Sequence, residues 1–142
     1  MIRLTRRYRF PAAHVLYRRD FSSEDNRRIY GKCANPNGHG HNYGVEVTVG
    51  GTVDPVSGAL IPVGVLDAFV QERVLDRFSH QNLNQDLLFQ TEVPTAENIA
   101  QAIHALLAAP VESVTGAQLV SVRVVETARN DAEVATPNAQ WR

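Results

Sequence analysis

Apolar and polar residues alternate from 2 to 10, with Ile2, Leu4, Tyr8 and Phe10 on one side. Side chains two apart share a face of extended chain, so this stretch predicts a half-buried strand. From 15 to 37 no period holds, and Asp, Ser, Asn and Arg dominate. That predicts a long loop, the kind of segment that often carries function. Alternation returns as Tyr43, Val45, Val47 and Val49 against Gly44, Glu46 and Thr48, a second strand that ends in Gly50-Gly51 and turn residues at 54–58.

The period then changes. Leu66, Phe69, Val70, Val74 and Phe78 stand at helical spacing and predict a helix over about 65–78. Thr95 after Pro94 is a suitable N-cap for a second helix, whose apolar stripe is Ile99, Ala102, Ile103, Leu106 and Leu107 and which Pro110 should close. His104 falls off that stripe and reads as an exposed helix residue. The valine-rich stretch 119–127 predicts a third strand, and a turn near 129–131 leads to a fourth at 132–136. The order β-β-α-α-β-β gives an α+β domain, a four-stranded antiparallel sheet with two helices on one face. The bare face and open edges then need cover, which oligomerisation would supply.

At 142 residues the chain is expected to be a single domain spanning 1–142. Its 44% hydrophobic and 20% charged residues suit a globular protein. No apolar run approaches the roughly 20 residues of a membrane span, and 1–10 lacks a signal core, so a cytoplasmic protein without membrane partners is expected. The formal net charge of −1 hides an asymmetry, since residues 1–32 hold nine Lys/Arg against three acids. Such a segment attracts a small anion or is simply solvated; no nucleic-acid motif accompanies it, and nucleic acid is not an expected partner. The lone Cys33 excludes an internal disulfide and is either a core filler or a reactive thiol.

His39 and His41 lie immediately before the second strand, and at spacing two their imidazoles point the same way. His14 keeps the parity of Phe10 if the first strand stays extended. Adjacent antiparallel strands would then bring three rings to one end of the sheet. Three imidazoles with an open fourth position make a catalytic zinc site and not a closed structural one. A His-x-His pair alone occurs often by accident at a loop end, so the surrounding residues have to decide.

Those residues form YGKCANPNGHGHNYGVEVTV at 30–49, which closely resembles the heart of the 6-pyruvoyltetrahydropterin synthase / 6-carboxytetrahydropterin synthase family. FPAAH at 10–14 resembles the family's first zinc-histidine motif, and SHQNLN at 79–84 its catalytic histidine motif. PTAEN at 94–98 and VRVVET at 122–127 are similar to its pterin-binding motifs. The resemblance implies the tunnelling fold, an oligomeric barrel built as a homo-hexamer of two trimers, and active sites at subunit interfaces. It further implies a zinc-dependent lyase acting on 7,8-dihydroneopterin triphosphate, with loss of triphosphate.

By that resemblance His14, His39 and His41 hold Zn2+, Cys33 is the general base, and His80 relays protons from a neighbouring subunit. Glu126 anchors the pterin, and Thr95 and Glu97 line its pocket. A thiol titrates near 8.5, so Cys33 needs help from the metal, Lys32 or a histidine. Glu126 shares the parity of Val122 and Val124, where a carboxylate needs a partner or water. Thr95 serves as an N-cap in any case, and Glu97 in the first turn is favoured by the helix dipole. Arg27, Arg28 or Lys32 is expected to meet the triphosphate. The five residues between Cys33 and His39 resemble the pyruvoyl-type spacing.

One departure stands out. The family usually has Asp before the relay histidine, where this chain has Ser79. A hydroxyl orients an imidazole but adds no charge. The outcome is a slower enzyme, an acid such as Asp76 or Asp86 standing in, or another task, such as non-catalytic pterin or purine binding. A three-histidine zinc hydrolase of unrelated fold is a further alternative.

Overall fold

In this computed structural model, which describes residues 1–137 and 139, the first strand passes its predicted end. Strand β1 covers Ile2–His14, because the in–out alternation continues through buried Phe10, Ala12 and His14. Pro11-Ala12-Ala13 carries too little contrast in polarity to reveal this from sequence. Strand β2, His39–Gly51, lies antiparallel to β1 along its whole length, pairing Phe10 with Tyr43, Ala12 with His41 and His14 with His39.

The predicted loop at 15–37 is not structureless. It holds helix α1, Ser23–Tyr30, and a 3-10 turn, Gly31–Ala34. Ser22 caps α1 by accepting from the Asp25 N–H, and acids in the first turn with arginines in the last suit the dipole. Eight mostly polar residues show no apolar stripe, which is why a periodicity reading misses them.

Helix α2, Val63–Val70, continues through one wide turn, Gln71–Leu75, into Asp76–Phe78. Helix α3, Ala96–Thr115, runs past Pro110, which does not close it. A proline removes one backbone hydrogen bond. Ile99, Ile103, Leu107 and Val111, all fully buried at intervals of four, hold the helix on the sheet regardless. Gly116 ends it in the left-handed region at φ 71°. His104 is half-buried and not exposed, and its Nε2 lies 2.8 Å from the Thr136 hydroxyl.

Strands β4, Gln118–Thr127, and β5, Asn130–Ala135, complete the antiparallel set. The sheet nevertheless has five strands, in the order β3-β1-β2-β4-β5. The extra strand β3, Gln81–Asn82, pairs in parallel with Ala12 and Ala13, so the sheet is mixed and not purely antiparallel. A two-residue strand leaves no alternation to read.

Both helices pack on one face, where Phe10, Tyr43, Leu66, Phe78 and Ile99 are among the largest buried side chains. The other face is polar. Arg7 and Arg123 both reach Glu46, Arg123 also pairs with Asp131, and Thr5 bonds Thr48. These charges pair with one another across neighbouring strands. The edges at β3 and β5 are left open to pairing.

Candidate metal and catalytic site

The site grows out of the register of β1 and β2. Because His14 faces His39 and Ala12 faces His41, the three imidazoles converge on the helix-covered side at one sheet end. Ring centroids are 4.6 Å apart for His14–His39, 5.1 Å for His14–His41 and 4.8 Å for His39–His41. Gly38 makes the tight entry into β2 at φ 75°, where a Cβ would also stand 3.3 Å from Val15 Cγ2. Only glycine takes that conformation without strain.

His14 is the centre of the cluster and is 1% exposed. Its Nδ1 lies 2.8 Å from the Pro94 carbonyl, which can only accept, so the ring proton sits on Nδ1. That leaves the Nε2 lone pair facing His39 Nε2 at 2.9 Å. An imidazole whose far nitrogen donates to a carbonyl is oriented as metal-ligating histidines are. The Tyr43 hydroxyl, 3.1 Å from Nδ1, closes the floor of the site.

The Pro94 carbonyl is itself held by the start of α3. Thr95 accepts from Asn98 N–H as N-cap, and Asn98 Nδ2 donates to Val93 O at 2.8 Å. On the opposite side Asn84 clamps the Val15 backbone, accepting from its N–H at 2.7 Å and donating to its carbonyl at 2.8 Å. Pro94, Tyr43 and Asn84 escaped the sequence reading as parts of this site. Tyr43 alone had a usable signal, since it continues the parity of His39 and His41.

Cys33 arrives on its 3-10 turn because Leu16 N–H donates to the Cys33 carbonyl at 2.8 Å. Its Sγ and donor nitrogens of His14 and His39 lie within 4.8 Å of one another, and so do donor atoms of His14, His41 and Glu126. Burial pushes the Cys33 thiol up, and the Glu126 charge adds to this. Exposed Lys32 next door does not reverse this. Burial lowers His14 and His39, with the neighbouring imidazoles adding to the effect. Both rings are thus neutral at pH 7, as metal ligands must be.

Glu126 lies at a register shift between Val125 and Thr127. Its Oε2 stands 4.0 Å from His14 Nε2, and its Oε1 accepts from Asn130 Nδ2 at 3.3 Å. His41 Nε2 is buried with no hydrogen-bond partner. A buried ring nitrogen without a partner costs free energy unless something binds it. This donor set of nitrogens, a thiol and a carboxylate fits a divalent transition-metal ion.

His80 lies elsewhere. It is exposed, sits in the left-handed region at φ 60°, and its N–H donates to Pro11 O at 2.7 Å. It lines an open cavity of about 450 Å3 with His41, Asn42 and Asn82 and belongs to neither donor cluster. Neither suggested acid is free to serve it. Asp86 is held by Arg77 in two bonds of 2.8 and 2.9 Å, and Asp76 accepts from Gln71 at 2.7 Å. Glu97 is exposed in the first turn of α3. Of the basic residues expected near triphosphate, Arg28 pairs with Asp25 at 3.4 Å.

A family profile described as 6-pyruvoyl tetrahydropterin synthase matches residues 3–137. The chain belongs to that family. A human 6-pyruvoyl tetrahydrobiopterin synthase is 43% identical over 98 residues, covering 68% of each chain. A Poecilia reticulata protein of the same name is 38% identical over 128 residues, 89% of this chain and 85% of its own. The solved Caenorhabditis elegans 6-pyruvoyl tetrahydropterin synthase superposes with a TM-score of 0.86 at 35% identity, covering 96% of both chains. The chain is therefore an enzyme of this family's lyase type, and an unrelated hydrolase fold is excluded.

Proposed function

We propose that this chain is a zinc-dependent lyase that removes triphosphate from 7,8-dihydroneopterin triphosphate. The observation that carries the reading is the orphaned, buried His41 Nε2 beside two neutral imidazoles and a thiol, all at one sheet end. His14, His39 and His41 are the proposed zinc ligands. When bound there, zinc supplies Lewis acidity that makes C–H bonds next to the side-chain hydroxyls easier to ionise.

Cys33 takes the role of base, since its sulfur stands against the same histidines. Glu126 anchors the pterin, for a carboxylate accepts paired N–H donors from a guanidine-like edge. Its side chain lies within the site and borders a cavity of about 530 Å3. Thr95 holds the helix start behind the pocket, and Glu97 lies on its rim. His80 is assigned to the site of a neighbouring subunit, which its exposure and its separation from the donor clusters support. The assembly is then a hexamer of two trimers, joined through the open sheet edges.

The names of the relatives and the spacing from Cys33 to His39 favour the pyruvoyl product over the carboxy product. Incubating zinc-loaded protein with the substrate tests this reading. Triphosphate release that disappears in Cys33→Ala, without acetaldehyde, is the expected result. Abundant acetaldehyde instead assigns the carboxy product. Ser79, with Asp76 and Asp86 engaged elsewhere, points to a slower enzyme, and the rival reading of a non-catalytic pterin binder stands against the family membership. Pterin binding without any triphosphate release would establish that rival.

A further inference from the structure

The two donor clusters share His14, and only one of them contains sulfur. We infer that Cys33 is itself a metal ligand in the resting protein, completing a four-donor set with His14, His39 and His41, and that an entering pterin side chain displaces it. The inference rests on the metal reading above and gives Cys33 a second position within it.

Three observations carry it. The first is anchorage, because the Leu16 N–H holds the Cys33 carbonyl at 2.8 Å, two residues beyond His14. The turn that carries the sulfur is thereby tied to the strand that carries the central histidine. The second is distance. Sγ lies within 4.8 Å of donor nitrogens on His14 and His39. With metal–nitrogen bonds near 2.0 Å and metal–sulfur bonds near 2.3 Å, adjacent donors of a tetrahedral site stand about 3.5 Å apart. Cys33 groups with His14 and His39, so a side-chain rotation that moves Sγ on the order of 1 Å toward those two rings brings it into bonding range of an ion held there.

The third is availability. Glu126 also approaches, with Oε2 4.0 Å from His14 Nε2 while its Oε1 accepts from Asn130, but its donor atoms group with His14 and His41 and not with His39. Cys33 Sγ has no hydrogen-bond partner among the described residues, and thiolate is the softer donor for such an ion. On coordination the Cys33 proton leaves to solvent. On displacement the sulfur departs with its lone pair, as a thiolate beside the substrate, and accepts the proton taken from carbon.

Cobalt(II) loading of the metal-free full-length protein tests this. Wild type is expected to show the visible bands of four-coordinate cobalt together with a near-ultraviolet sulfur-to-cobalt charge-transfer band. Cys33→Ser, checked for folding by circular dichroism, should take up cobalt yet lose the near-ultraviolet band. Adding 7,8-dihydroneopterin to wild type should diminish that band without releasing cobalt. Visible bands without a sulfur band in wild type would overturn the inference while leaving the metal site intact. A sulfur band unmoved by Cys33→Ser or by the pterin would overturn it as well. No cobalt uptake at all would sink the metal reading itself and this inference with it.

Discussion

His14 shows how much one buried side chain decides. It donates to Pro94, meets both other imidazoles, and stands 4.0 Å from Glu126. Replacing it by alanine removes one proposed ligand and leaves a buried carbonyl without its donor, which costs roughly 1–3 kcal/mol. His14→Ala is expected to lower bound zinc from about one ion per chain to an undetectable level, checked by elemental analysis, and to lower the thermal midpoint. Acidity should act on the same group. Burial holds His14, His39 and His104 below the ordinary histidine value near 6.5, so the unfolded chain binds more protons than the folded one below that pH. Stability from these groups is complete above about pH 6.5 and is lost as pH falls through their folded values. Thermal melts of metal-free protein should therefore decline from about pH 6.5 downward; a midpoint that stays flat to pH 5 would contradict this. The spacing of His39 and His41 made their shared direction legible. The Pro94 partner was invisible, because it lies 80 residues away along the chain.

At the scale of elements, α3 does two jobs. Its apolar stripe packs the sheet, and its N-terminus presents the Pro94 carbonyl to His14. Thr95→Ala removes the cap and should cost about 1 kcal/mol in urea unfolding. It should also weaken zinc binding measured against a competing chelator, on the order of 10-fold, since the partner of a ligating histidine is loosened. Thr95→Ser should restore both. An unchanged zinc affinity in the alanine variant would show that the helix start and the site are uncoupled. The cap was readable from Pro94-Thr95, whereas the passage of α3 through Pro110 was not. Local preference disfavours proline inside a helix, and it took Val111 on the sheet to override that preference.

For the whole molecule, the decisive quantity is how many chains make one site. The polar ladder of Arg7, Glu46, Arg123 and Asp131 lines one face, while β3 and β5 stand at the edges of the sheet, where another chain could pair. Sedimentation should give a mass several times 15.7 kDa, with the hexamer as the proposed value. If His80 serves a neighbour's Cys33, then Cys33→Ala and His80→Ala, each inactive alone, should regain activity when dissociated and reassembled together. Random mixing places an intact pair at about a quarter of the sites, by the subunit statistics of a symmetric assembly. No recovery, with mixed assemblies demonstrated by mass spectrometry, would assign His80 to its own chain's site.

Sequence by itself determined the α+β class, the two main helices, the four long strands and the three histidines as a group. Those features repeat at short, fixed intervals, and a period of two or of 3.6 survives without knowledge of partners. Tertiary structure alone decided that β1 runs on to His14, that a two-residue strand joins it in parallel, and that α1 interrupts the loop. It also decided that Asp76 and Asp86 are engaged away from His80, and that Glu126 Oε2 comes to 4.0 Å from His14 Nε2. Each of these depends on a contact between residues distant along the chain or on an element too short to establish a period. Their energies arise only once the chain has closed on itself.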